Sequence, residues 1–416
     1  MESFVIEGGT PLSGELRIQG AKNAALPILA ATVLTGGSYT IYDVPRLSDI
    51  DVMLKILTKL GAVCSHEGTT VHVDTTALAS STVPEDLMGQ MRSSIFLMGP
   101  LLARFGEVIL TRPGGCAIGE RRIDLHLKGL EALGARIIAQ DGYIRCTADK
   151  LKGGMIFLDY PSVGATENIM MAAVLAQGET VLSNAAREPE IIDLQNFLNC
   201  LGARVCGAGT DRIVIEGVSH LQATDYQVIP DRIVTGTMML AAAITQGKIV
   251  LRNVNPMHVV AILDVVKQCG VEIDYGHDII TVKASGPFRA VDRIITAPYP
   301  GFPTDMQSQT MAFLSVAKGC SIIKETVFDG RFRHVNELCR LGADIYVDLH
   351  TAFIRGVPRL SGTVVEATDL RAGAALIIGG LAAEGETKVT QAYHIDRGYD
   401  RIEEQLASLG ARIRRV

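Results

Sequence analysis

Tryptophan is absent from this 416-residue sequence, and aromatic residues make up only 5% of it. A broad aromatic binding surface is therefore not expected. Positive charge is also scarce: the formal net charge is −6, with no basic tail and no long run of one sign. That argues against nonspecific nucleic-acid binding, which needs clustered Lys and Arg to neutralise phosphates. Long apolar runs are missing as well. The most apolar stretch, Ala372 to Ala383, is too short to span a bilayer and follows Asp369 and Arg371, so it is predicted to be a buried helix. The opening residues, Met1 to Glu7, show neither a basic segment nor an apolar core typical of a secretion signal. Eight cysteines are scattered without metal-ligand spacing or the density of a disulfide framework. A cytoplasmic protein with no bound metal is the expectation.

What the chain has in quantity is apolar residues, at 48%, and glycine, at 42 residues. Its length suits two domains better than one core. The glycines are periodic. Gly61, Gly134, Gly202, Gly270, Gly342 and Gly410 each close an apolar helix, five of them within Leu-Gly-Ala. A second series, Gly37, Gly106, Gly178, Gly247, Gly319 and Gly385, follows Ala- and Met-rich helices and precedes strands. Both series suit the position just past a helix end, where φ is positive and a Cβ is strained. The repeat of roughly 70 residues thus reads helix, Gly turn, strand, helix, Gly turn, strand pair. Six repeats divide into two domains of three, giving an α/β fold of two inside-out barrels with buried helices and outer sheets. The predicted boundaries are residues 22–229 for the N-terminal domain, and 1–21 with 230–416 for the C-terminal domain. Phe4 to Glu7 would then pair within the C-terminal domain. A long solenoid is the competing architecture, though this repeat is longer and more mixed than common solenoid units.

Polar residues recur just before the first helix of each repeat: Lys22-Asn23, Arg92-Ser93, Thr166-Glu167-Asn168, Asp231-Arg232, Thr304-Asp305 and Thr368-Asp369-Leu370-Arg371. Helix N-termini offer unpaired N–H groups and the positive end of the macrodipole, so they suit phosphate or carboxylate. Thr and Asp there also read as ordinary N-caps, Thr166 above all. Lys22, Arg92, Arg232 and Arg371 fit capping poorly, since cations oppose the dipole unless an anion lies between them. If helix ends of both domains face one cleft, it binds anions.

Between the first and second repeats runs Thr111-Arg112-Pro113-Gly114-Gly115-Cys116-Ala117-Ile118-Gly119-Glu120-Arg121-Arg122. Three arginines around one thiol favour its thiolate, making Cys116 the best candidate for a reactive cysteine, although a loop cysteine is often silent. The others read as structural, with Cys200, Cys269 and Cys339 on apolar helix faces.

Together these segments resemble the enolpyruvyl transferase family. The resemblance rests on Gly20-Ala21-Lys22-Asn23, Pro-Gly-Gly-Cys-x-Ile-Gly, Ser162-Val163-Gly164-Ala165-Thr166-Glu167-Asn168, Pro303-Thr304-Asp305, Thr368 to Gly373 and His394 to Tyr399 in family order, across essentially the whole chain. The cysteine loop is similar to that of the branch acting on UDP-N-acetylglucosamine; the branch acting on shikimate 3-phosphate lacks it. The resemblance implies transfer of the carboxyvinyl group of phosphoenolpyruvate to the sugar 3′-hydroxyl, with release of phosphate. It further implies no cofactor, a place at the start of bacterial peptidoglycan synthesis, and sensitivity to the epoxide fosfomycin.

On that resemblance, Cys116 is the acid toward the methylene carbon and Asp305 accepts the hydroxyl proton. Lys22, Arg121 and Arg397 clamp phosphoenolpyruvate, with Asn23 and Arg92 beside them. The nucleotide sugar meets Arg121, Arg122, Ile123, Asp124, Leu125, Ser162, Val163 and the backbone at Val327. Arg331, Asp369 and Arg371 are supporting residues. Two departures stand out: Arg122 occupies a place where proline is common, and Asp159-Tyr160-Pro161 replaces a common Lys-Val, which removes a lysine contact to the diphosphate. Phosphoenolpyruvate and the nucleotide sugar are the expected partners, with no nucleic acid or membrane, and a monomer is the favoured state. A repeat-built nucleic-acid clamp is the reading from another class; it would require exposed basic helices, whereas these are rich in Ala, Leu and Met.

Overall fold

A helix apolar on every side has no face to give to water and must lie inside a core. Lys22–Ala31 and Arg232–Ile244 are largely of this kind, and Gln307–Leu314 is buried as well although its first four residues are polar: only Asn23 and Arg232 among the residues of the three helices are not buried. Leu370–Ala382 is buried from Arg371 through Leu381, as its apolar run predicts. The structure, a computed structural model, describes residues 2–111, 123–140 and 142–416. The described residues form two units, one of residues 20–111 and 123–229, the other of residues 2–19 and 230–416. Each has its own hydrophobic core.

Around the buried helices of each unit lie three sheets of three or four strands, with a further two-stranded sheet in the second unit, the mixed α/β arrangement expected. In the second unit, Lys248–Arg252 pairs antiparallel with Ile279–Lys283, which pairs with Glu272–Tyr275, while Ser13–Arg17 adds a parallel edge. The same pattern recurs in Cys320–Lys324, Thr351–Arg355, Asp344–Asp348 and the parallel edge Arg293–Ile295. In the sixth repeat Phe4–Glu7 takes the place of the second hairpin strand, between Glu386–Thr390 and Arg412–Arg415. The order of the described sheets is open throughout, so the units are helices covered by separate sheets and not closed barrels. Among the described residues no helix is long and apolar enough to cross a membrane.

The six glycines from Gly61 to Gly410 all have positive φ, between 92° and 110°. The second series departs at one place. Gly247 is not left-handed; the preceding Gln246 takes φ 54° instead. Glycine is still required, because a Cβ at 247 would lie 2.3 Å from the Leu12 carbonyl oxygen, where Ser13–Arg17 enters the sheet. Two cysteines also differ from expectation. Cys269, directly before its glycine, is buried, whereas Cys200, two residues before Gly202, and Cys339, three before Gly342, are exposed. The residue adjoining the glycine points into the core, and the two before it have already turned outward.

Candidate active-site residues

In the unit formed by residues 2–19 and 230–416, the short helical turn Thr304–Met306 follows Pro303, has no side-chain cap, and presents Asp305 beside two arginines. Arg331 Nη2 donates to Asp305 Oδ1 at 2.5 Å, and Arg371 Nη2 donates to Oδ2 at 3.0 Å. Both arginine side chains are almost fully buried, at 3% and 4% exposure, while the carboxylate keeps 26%. Burial alone would weaken the Arg371 charge. Asp305, then Tyr399 and Asp231, overturn that and push its pKa up. Two guanidiniums on one carboxylate leave a local excess of positive charge, and charge-assisted bonds of this kind hold geometry well. The Nε–H groups of Arg331 and Arg371 find no acceptor among the described residues.

A second layer fixes Arg371. Its guanidinium lies over the Tyr399 ring at 5.7 Å and donates to the Tyr399 hydroxyl at 3.4 Å. That hydroxyl meets Thr237 Oγ1 at 2.9 Å and accepts from Gln309 Nε2 at 3.2 Å. Gln309 also donates to the Asp305 carbonyl at 2.9 Å. Asp369 is a true N-cap of Leu370–Ala382, accepting from the N–H groups of Arg371 and Ala372. Arg397 ends the helical turn Ala392–Arg397 and lies close enough to His394 to help lower its pKa, after burial. Val327 donates its N–H to Glu325 Oε1 at 2.8 Å.

In the other unit Lys22 begins its helix and pairs with Asp49 Oδ2 at 2.6 Å, both side chains buried. The reading that cations at helix starts demand a bound anion is thereby corrected. Lys22 has Asp49 and Arg371 has Asp305 within the chain, and Arg232 lies over the Tyr299 ring. A buried cation needs a fixed countercharge whether or not substrate is present. Asn23 is half-buried beside Lys22.

Arg92, Ile123 to Leu125 and Ser162-Val163 lie at the starts of three helical elements, Arg92–Leu97, Asp124–Ala132 and Val163–Ala173, the last of which packs against the other two. Arg92 opens the turn Arg92–Leu97, and Asp124 opens the helix Asp124–Ala132, with Ile123 as its N-terminal neighbour and Leu125 half-buried. Asn168 donates from Nδ2 to Ile95 and to His126 Nδ1 at 2.8 Å, and its Oδ1 accepts from Gly99. The acceptor role of Nδ1 places the His126 proton on Nε2. Burial, aided by Arg92, pushes the His126 pKa down to about 3, so the ring is neutral at physiological pH. Gly164 belongs here by necessity: a Cβ on it would meet His126 Cε1 at 3.0 Å and Phe96 Cε1 at 3.3 Å. The cap of this helix is Ser162, whose Oγ accepts from Ala165. Thr166 is not a cap; it lies inside the helix and accepts from the Ala186 N–H. Both residue types cap well, and the helix simply starts one turn earlier than the Thr-Glu-Asn triplet suggested.

Cys116, Arg121 and Arg122 lie outside the described residues. Of the other predicted residues, the fold brings Asp305, Arg331, Arg371 and Asp369 together, and places Arg92, Ile123, Asp124, Leu125, Ser162 and Val163 at the starts of helical elements that pack on one another. Asp49, His126, Glu325, Gln309 and Thr237 were not anticipated. Tyr399 was within a quoted motif but had no role. Next to Tyr160, where the lysine is missing, the Asp159 carboxylate pairs with Lys128 at 2.7 Å on the surface. A cavity of about 1090 Å³ lies elsewhere, at the C-terminal ends of the buried helices near Leu34, Arg104 and Gln177, and none of the predicted residues lines it.

A carboxylate poised between buried arginines, in a six-repeat α/β fold, defines the class: the chain belongs to the EPSP synthase (3-phosphoshikimate 1-carboxyvinyltransferase) family, whose pattern matches residues 6–406. It is similar over 100% of its length to the structure of the enolpyruvyl transferase NikO from Streptomyces tendae, which is covered to 99%, with TM-score 0.90 and 28% identity. Within the family it falls among the UDP-N-acetylglucosamine 1-carboxyvinyltransferases. It is 52% identical to UDP-N-acetylglucosamine 1-carboxyvinyltransferase 2 of Carboxydothermus hydrogenoformans over 418 residues, 100% of both chains. It is also 52% identical to the protein of the same name from Caldanaerobacter subterraneus subsp. tengcongensis over 416 residues, again 100% of both.

Proposed function

We propose that this enzyme transfers the carboxyvinyl group of phosphoenolpyruvate to the 3′-hydroxyl of UDP-N-acetylglucosamine and releases phosphate. The observation that carries the chemistry is Asp305 held between Arg331 and Arg371. The full-length likeness to transferases named for UDP-N-acetylglucosamine supports the acceptor. Cys116 delivers a proton to the methylene carbon, and the carbon bearing phosphate becomes electron-poor. The sugar oxygen bonds to that carbon while Asp305 takes the hydroxyl proton. Loss of a proton from the new methyl group and breakage of the carbon–oxygen bond to phosphate restore the vinyl group. An acid and a base positioned in this way each typically contribute about 10²–10⁴-fold.

Lys22, Arg121 and Arg397 hold the phosphate and carboxylate of phosphoenolpyruvate, with Asn23 and Arg92 beside them. The segments at 121–125 and 162–163 and the Val327 backbone receive the nucleotide sugar; Arg331, Asp369 and Arg371 support Asp305. Residues 22–229 form one domain, and residues 1–21 with 230–416 form the other. The reaction opens peptidoglycan synthesis in the cytoplasm, in a monomeric enzyme, and so serves cell shape and division.

Phosphate release from phosphoenolpyruvate tests the reading: it should require UDP-N-acetylglucosamine. Release that depends on shikimate 3-phosphate instead would overturn it. Fosfomycin should add its mass to Cys116, more rapidly with the nucleotide sugar present. Intact-mass and peptide mapping check this, and labelling at another cysteine would remove Cys116 from its role.

A further inference from the structure

Glu325 is a nearly fully buried carboxylate that none of the assigned roles uses. Its two oxygens serve different parts of the site. Oε1 accepts from the Thr296 hydroxyl at 2.8 Å, the Val327 N–H at 2.8 Å and the Phe328 N–H at 3.2 Å. Oε2 accepts from the Thr304 hydroxyl at 2.9 Å. Thr304 adjoins Asp305, and Val327 carries the backbone assigned to the nucleotide sugar. The anchor beneath is rigid: Thr296 is buried, and its hydroxyl accepts from the Thr326 N–H at 2.9 Å.

We infer that Glu325 is a positioning residue that fixes the Asp305 turn and the Val327–Phe328 backbone in one register. Inference and test rest on the proposed function for the roles of those two segments. The chemistry explains a carboxylate here. Four donors converge on it, and a carboxylate is acceptor on both oxygens. Satisfied buried networks of this kind hold their members rigidly, and partial satisfaction is costly. One carboxylate therefore links the proton acceptor to the acceptor-substrate contact, although the two segments are more than 20 residues apart in sequence.

The arms of the network come apart by substitution. Thr304→Val removes one hydroxyl and keeps the shape. It should lower kcat about 10-fold by loosening the Asp305 turn, with KM for UDP-N-acetylglucosamine changed less than about 3-fold. Glu325→Gln keeps Oε1 as acceptor and lets its amide donate to Thr304, so both constants should stay within about 3-fold of wild type. Glu325→Ala breaks both arms and should shift kcat and that KM together, each about 10-fold. A merely structural Glu325 would change melting temperature and leave kcat of the folded enzyme intact. Wild-type kcat in Thr304→Val overturns the inference, whether or not Glu325→Ala folds. The comparison uses whichever acceptor the wild type turns over, UDP-N-acetylglucosamine or shikimate 3-phosphate. Failure of the functional reading would appear in the wild type, and failure of the inference only in the variants.

Discussion

Asp305→Asn is expected to lower turnover by about 10²–10⁴-fold, the range for loss of a positioned base. The amide oxygen accepts from one arginine as before. Its NH₂ group then faces the other guanidinium, donor against donor, and the countercharge for two buried cations is gone. Stability should therefore fall as well, because an uncompensated buried charge is among the costlier defects. The two effects separate when kcat is measured per folded molecule, well below the melting temperature. Turnover within about 3-fold of wild type would remove Asp305 from proton transfer and leave it as a countercharge for Arg331 and Arg371.

Lys22 has two claims on it, and a pair of variants divides them. Lys22→Met deprives buried Asp49 of the partner 2.6 Å away, a break that typically costs about 3–5 kcal/mol. It also removes a cation assigned to phosphoenolpyruvate. The double variant Lys22→Met/Asp49→Asn removes both charges and should regain most of the melting temperature. It should stay at least about 10²-fold below wild type in kcat/KM for phosphoenolpyruvate, since placement of the anion is lost. Recovery of activity in the double variant would make Lys22 a structural partner of Asp49 only. Calorimetry and steady-state kinetics on the same preparations supply both readouts.

The repeat was legible because glycine leaves a physical trace: only a residue without Cβ readily takes φ near 95° at six successive helix ends. Gly247 shows the limit of that signal. Its glycine answers a close approach of the Leu12 backbone, which sequence spacing does not distinguish from a left-handed turn. Asp305, Arg371 and Asp369 were legible because they recur at helix starts, where buried charge is unusual. Their supports were not. Thr237 and Tyr399 meet across 162 residues of chain, and no local pattern marks that contact. Asp49 sits in the first turn of Ser48–Leu60, where an acid reads as an ordinary complement to the helix dipole. Glu325 follows a strand as any polar residue would; its function lies in what converges on it. Thr166 misled for the opposite reason, carrying a good capping residue type one turn inside the helix.

The acceptor is the central claim, and a competition tests it most directly. With phosphoenolpyruvate limiting and UDP-N-acetylglucosamine and shikimate 3-phosphate present in equal amounts, mass spectrometry identifies which acceptor gains the carboxyvinyl group. The account predicts that UDP-N-acetylglucosamine carries it and shikimate 3-phosphate is recovered unchanged. A carboxyvinyl group found on shikimate 3-phosphate would contradict it.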